Sequence, residues 1–217
     1  MPRAFDFFYF SGTGNTLLVA KQMQEVLVKR GATIRMRRME KSNPREINLE
    51  NEIVFAFPVA ILATYPIVWT FIKGKPEAQG TRVYMVDTLG GLSIGLVGGL
   101  KRVLMKKGYS PEGAEEIQMP INFFRSNSNE NKKETMIEMG LEKAEKYADE
   151  IYEGRTTWRR LPFLSDLAHH FFTSRLLWNI VPIWPKMHVD KTRCTKCSEC
   201  VDLCPIGNII MDDYPRH

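Results

Sequence analysis

The chain has 217 residues, room for one medium domain plus a small module, and its 44% hydrophobic and 25% charged residues are those of an ordinary globular protein. Its formal charge of +5 is dispersed, with "RMRR" at 35–38 and "RTTWRR" at 155–160 as the only tight basic groups. Both read as solvated or linker faces, so no nucleic-acid partner is expected.

In chain order, "MPRAFDFFYF" carries one basic residue and runs directly into a strand pattern, so no secretory leader is expected. Its aromatic run "RAFDFFYF" predicts a buried strand. "NTLLVAKQMQEVLVKRG" follows with Val19, Met23, Val26 and Leu27 at helical spacing and Gly31 as a stop. "ATIRMRR", "EIVFAF", "RVYMVD" and "AEEIQMP" are each short enough for a strand. Helical patterns separate them at "PIVWTFIKG" and around Leu96, Val97, Leu100, Val103 and Leu104. A last helix at about 131–153 sets Ile137, Leu141, Ala144, Ala148 and Ile151 on one stripe. This alternation predicts an α/β fold, a doubly wound five-stranded parallel sheet in the order 2-1-3-4-5, over residues 1–154.

From 155 the character changes. Residues 155–187 are basic, then aromatic-rich, and Leu164, Leu167, Ala168, Phe171 and Phe172 predict a helical connector packed on the sheet domain. The apolar stretch 161–185 contains Asp166, His169, His170 and Arg175, so it falls short of the about 20 apolar residues that a membrane span needs. The two histidines read as packing or surface residues. Residues 188–217 form a small cysteine module, and the whole is expected to be cytoplasmic.

"SGTGNT" at 11–16 lies after the first strand and at the entry to the first helix, where a parallel sheet binds its ligands. Gly12 and Gly14 permit a tight turn and close approach, successive amides and the helix N-terminus favour an anion, and Ser11, Thr13, Asn15 and Thr16 add side-chain donors. The loop lacks the lysine of triphosphate loops and the G-x-G-x-x-G of dinucleotide sites, so a terminal monophosphate fits it. A tight, well-capped turn is the plainer alternative.

"YFSGTGNT" at 9–16 resembles the phosphate loop of flavodoxins, which bind FMN. The resemblance implies that the flavin ring is bracketed by the loops after the third and fourth strands, here "PVAILATYP" at 58–66 and "DTLGG" at 87–91. It assigns Pro58, Val59, Ala60 and Tyr65 to the first bracket, and Thr88, Leu89, Gly90 and Gly91 to the second. Tyr65 would stack on the ring, or else only on Pro66. "MPINFFR" at 119–125 borders the same region, with Asn122 and Arg125 as further candidates.

The four cysteines of the chain are Cys194, Cys197, Cys200 and Cys204, the last followed by Pro205. They match the C-x₂-C-x₂-C-x₃-C-P run of bacterial ferredoxins, a pattern that wraps thiolates round an iron–sulfur cube. Zinc sites use separated pairs or Cys/His mixtures, and a disulfide is disfavoured in the cytoplasm. In two-cluster ferredoxins the fourth cysteine of the run serves the other cluster, and no second run is present in this sequence. The [4Fe-4S] ligand set is thus incomplete as it stands, and three readings stay open. The sequence is a truncated form of a longer protein, or Cys204 closes a single cluster, or the site is three-iron or empty.

Taken together, "YFSGTGNT", the "MP" ending the fifth strand, the aromatic connector and "VDKTRCTKCSECVDLCPIGNI" resemble the flavodoxin–ferredoxin fusions of anaerobic bacteria and archaea, the EFR1-type ferredoxins. The resemblance implies an electron carrier that passes electrons between FMN and iron–sulfur centres and meets redox partner proteins. The rival expectation is a flavin-dependent reductase of a small substrate, fed by the clusters.

Overall fold

The computed structural model describes residues 2–60, 63–91, 93, 96–122, 130–158 and 188–216. The expected connector helix with its leucines and phenylalanines, the histidine pair and Arg125 lie outside these residues. The chain divides into two units, Met1–Thr173 and Ser174–His217.

In the first unit, β1 (Ala4–Tyr9), β2 (Thr33–Arg38), β3 (Glu52–Ala60), β5 (Arg82–Leu89) and β6 (Ser110–Gln118) pair in parallel in the order β2-β1-β3-β5-β6. Setting aside the two-residue β4 (Ala63–Thr64), this is the expected doubly wound order. The helices are α1 (Asn15–Lys29), α2 (Pro66–Gly74), α3 (Leu96–Lys106) and α4 (Glu130–Glu153). Helix α1 ends where expected: Gly31 takes φ +89°, a left-handed conformation suited to glycine, and its amide donates to the Val28 carbonyl.

Both faces of the sheet are covered, which is why its strands read as apolar runs rather than alternations. On one face Phe5, Phe7, Val54, Val86 and Tyr84 pack under Val19, Met23 and Leu27 of α1 and Ala144, Ala148 and Ile151 of α4. On the other, Phe8, Phe55, Phe57 and Met85 pack under Val68 and Ile72 of α2 and Leu96, Leu100 and Leu104 of α3. Fully burying each such side chain contributes about 1.5–3 kcal/mol. The α4 stripe differs in detail from the expectation, because Gly140 and Tyr147 are buried with Ala144, Ala148 and Ile151, while Ile137 and Leu141 are only part-buried.

Several local features were not legible beforehand. "PVAILATYP" is not a plain loop: β3 continues to Ala60 and pairs antiparallel with β4, and the Thr64 hydroxyl donates to the Pro58 carbonyl at 2.9 Å. Strand β6 starts at Ser110 rather than Ala114, taking in Pro111, which an edge strand tolerates because its missing donor faces away from the ladder. The chain beyond α4 then covers that edge. Ala114 donates its amide to the Thr157 carbonyl, Thr156 donates its hydroxyl to the Glu112 carbonyl, and the buried Trp158 indole donates to the Val97 carbonyl at 2.9 Å. Residues 155–158 therefore pack on the sheet domain.

At the opposite end from the candidate site, Arg3 ties three elements together. Its guanidinium binds both Glu52 oxygens and the Tyr84 hydroxyl, and donates to the Ile151 and Tyr152 carbonyls at 2.6 Å, capping α4. The "RMRR" group sits on β2 and is not merely solvated, since Arg37 pairs with the buried Asp6 at 3.5 Å and Arg38 with Glu40 at 2.7 Å.

Among the described residues of the second unit are a short helix, α5 (Glu199–Leu203), and a hairpin of β7 (Ile210–Met211) and β8 (Pro215–Arg216). None of its described residues is buried.

Candidate functional site

A cleft of about 280 Å³ opens at the carboxyl ends of β1, β3 and β5. Of the expected site residues, Ser11, Gly12, Thr13, Asn15, Thr16, Pro58, Val59, Tyr65, Thr88, Leu89, Gly90 and Gly91 line it. Gly14 and Ala60 do not, although Gly14 shapes the loop, taking φ +98° immediately before α1. Met119, Pro120, Ile121 and Asn122 complete the lining as a third wall.

The loop is organised by its own serine. Ser11 Oγ accepts hydrogen bonds from the Gly14 amide at 3.2 Å and the Leu17 amide at 3.3 Å. Among the described residues, the amides of Gly12, Thr13, Asn15 and Thr16 have no protein acceptor. These are the unpaired donors of a helix start, and with the positive end of the α1 dipole they suit an oxyanion. The serine fills part of the donor ring without closing it.

Other side chains expected as anion donors are engaged elsewhere. The Thr16 and Thr88 hydroxyls share a buried 2.7 Å hydrogen bond that joins α1 to β5. Asn15 donates its side-chain amide to the Pro120 carbonyl at 2.8 Å, and Asn122 donates to Asn15 Oδ1 at 3.2 Å and Thr13 Oγ1 at 3.4 Å. The phosphate loop and the 119–122 wall are therefore one hydrogen-bonded assembly, which the spacing of the sequence did not reveal.

Tyr65 and Gly90 both line the cleft. Tyr65 packs its ring on Phe10, with centroids 5.5 Å apart, rather than standing on Pro66 alone, and burial raises its phenol pKa. Gly90 sits in close approach to the third wall: a Cβ there would fall 2.1 Å from Ile121 Cγ1, so a larger residue would have to displace that exposed side chain.

In the second unit, Lys196 and Ser198 flank Cys197 with φ of +59° and +62°, a left-handed backbone uncommon outside glycine and concentrated at functional loops. The Glu199 amide and the Thr195 hydroxyl, in that order, lower the Cys197 thiol pKa and favour the thiolate. Cys204 Sγ accepts the Asn208 amide at 3.2 Å. All four cysteines are free thiols, and among the described residues no three metal-ligating side chains are gathered together. The donor chemistry suits iron, but the thiols stand apart.

Residues 187–210 match the family model of the 4Fe-4S binding domain. No curated protein matches the chain. Among solved structures, the chain is similar to oxidised flavodoxin 2 from Bacillus cereus, with 14% identity over 69% of this chain and 98% of that one and a TM-score of 0.54. Flavodoxin from Streptococcus pneumoniae TIGR4 is 15% identical over 69% of this chain and 98% of its own, with a TM-score of 0.53. A short-chain flavodoxin associated with a PDU bacterial microcompartment is 13% identical over 72% of this chain and 100% of its own, with a TM-score of 0.52. The first unit thus has a flavodoxin-like fold, and a segment that matches the 4Fe-4S binding family model follows it. No helix among the described residues is long and apolar enough to cross a membrane.

Proposed function

We propose that the protein is an electron carrier in which FMN sits in the cleft of residues 1–154 and Cys194, Cys197, Cys200 and Cys204 of residues 188–217 are iron–sulfur ligands, the first three serving one [4Fe-4S] cluster. Residues 155–187 join the two parts. The observation that carries this reading is the set of unpaired amides at Gly12, Thr13, Asn15 and Thr16, opening into a cleft with an aromatic wall at Tyr65. Those amides would hold the terminal phosphate, and Thr13 adds a hydroxyl. Pro58, Val59, Tyr65, Thr88, Leu89, Gly90 and Gly91 would flank the ring, with Ala60 and Gly14 shaping the backbone beside them.

The flavin supplies reversible uptake of two electrons that can leave singly, and the cluster supplies one-electron transfer. What the chain's residues do is bind, orient and shield. Neutral donors hold the phosphate, the Asn15–Asn122 assembly fixes the third wall, and the Thr16–Thr88 bond locks the loop to β5. The shallow cleft suits outer-edge contact with redox partner proteins better than enclosure of a small substrate, so a carrier is favoured over a reductase. The architecture is that of the EFR1-type fusions, in the cytoplasm.

The test is an absorbance spectrum of protein purified without oxygen and reconstituted with both cofactors. Flavin bands with a broad blue-violet shoulder are expected. A colourless protein after reconstitution overturns the reading.

A further inference from the structure

Behind the cleft, β5 carries a carboxyl group that the cleft does not use. Thr88 points towards α1, where it meets Thr16, so strand alternation turns Asp87 to the other face of the sheet. Asp87 is 0% exposed, and neither of its oxygens has a hydrogen-bond partner. Its register neighbour on β3 is Phe57 and on β6 is Glu116, so one flank is apolar and the other is a second carboxylate. The α3 side chains packed on this face, Leu96 and Leu100, are apolar. Glu115 points to the opposite face, where Lys143 of α4 pairs with it at 2.6 Å. Glu116 is part-buried and accepts a hydrogen bond from the Ser93 hydroxyl, just beyond the Gly90 and Gly91 that line the cleft.

We propose that Asp87 stays protonated in the folded protein, and that its neutrality lets Glu116, opposite it in register, remain bonded to Ser93, so that Asp87 acts as a positioning residue for the Gly90–Gly91 wall. Two carboxylates in adjacent register resist ionising together, and the buried Lys75 on the same face lies over the Phe8, Phe55 and Tyr109 rings rather than beside them. When the proton leaves Asp87 for solvent, the new charge is wholly buried and has no hydrogen-bond partner among the described residues. Glu116, which can reach water, relieves the repulsion by turning outward, and doing so releases Ser93. The wall is then tethered only through β5. Burial first, then Glu116 and Glu115, push the Asp87 carboxyl well above the ordinary carboxylate range, while Lys143 opposes them. Because the folded value is raised, Asp87 contributes stability that is full below its unfolded value of about 3.9 and is lost as pH rises through the folded value.

The inference does not depend on what occupies the cleft, so it is tested on the full chain without flavin. Amide hydrogen exchange at residues 88–91 is followed from about pH 5 to about pH 9, corrected for the intrinsic rate, together with the thermal midpoint. In the wild type, protection at 88–91 is expected to fall about tenfold across that range, while amides of β1 and α1 stay unchanged. Asp87→Asn should abolish the pH dependence and raise the midpoint more at high pH than at low. Glu116→Gln, at a part-buried position that tolerates change, should likewise flatten the profile. Ser93→Ala should lower protection at every pH and leave no slope. A wild-type profile that is already flat, or a slope that survives both Asp87→Asn and Glu116→Gln, overturns the proposal. Neither result bears on flavin binding.

Discussion

The two units carry their candidate sites in opposite ways. The cleft rests on a scaffold with two apolar clusters and a closed set of hydrogen bonds, so its walls exist before any ligand arrives. The described residues of the cysteine unit form a short helix and a two-stranded hairpin, and none of them is buried. A segment so poor in core would draw its folding free energy from a bound metal or cluster rather than from burial. A flavin would therefore be a guest in the first unit, whereas a cluster would be the core of the second.

The largest expected effect tests that contrast directly. Cys197→Ser should remove the iron–sulfur absorbance and collapse the dispersed NMR signals of 188–216, while flavin retention and the unfolding midpoint of the sheet unit stay unchanged. Equal loss in both units would erase the distinction. Next in size, Arg3→Met should destabilise the sheet unit by about 3 kcal/mol in urea unfolding, because the part-buried Glu52 loses its cation and α4 loses its cap. The cysteine unit should not respond.

A smaller effect separates binding from folding within the first unit. Thr13→Val should weaken FMN binding about tenfold in a fluorescence titration, with little change in the midpoint of the flavin-free protein. Asn15→Leu should weaken it comparably and also raise hydrogen exchange at 120–122, since Asn15 holds that wall. If both variants bind as tightly as wild type, the phosphate lies elsewhere.

The smallest effect concerns Lys75, which is 2% exposed and whose Nζ has no hydrogen-bond partner among the described residues and lies 4.0 Å from the Phe55 ring centroid. Burial lowers its pKa well below the usual lysine value, with Asp6 opposing. Between the lowered value and about 10.4, the unfolded chain holds a proton that the folded one does not, so stability rises with pH across that window. Lys75→Met should stabilise by about 1 kcal/mol near neutrality, with the gain shrinking as pH climbs. Unfolding at several pH values would show it, and a constant gain would mean that Lys75 is charged when folded.

Much of this was readable from local chemistry. "SGTGNT" after an aromatic strand, the Gly31 stop and the cysteine spacing are each signals within one short stretch. The parallel order followed from alternation alone. Less legible were the β3–β4 hairpin, the early start of β6 at Pro111, and the part that Gly90 plays. Gly90 looks like any turn glycine until Ile121 is placed against it from a distant segment.

By itself, then, the sequence determined which residues are chemically able to hold an anion or a metal, because loop turns, donor groups and thiol spacing are local properties. Only the tertiary structure decided which of those donors remain free. It engaged Ser11, Asn15 and Thr16 with partners, left the loop amides open, raised 119–122 into a third wall and put Asp87 opposite Glu116. The reason is that pairing across a parallel sheet joins residues far apart in the chain, and no local pattern records those neighbours.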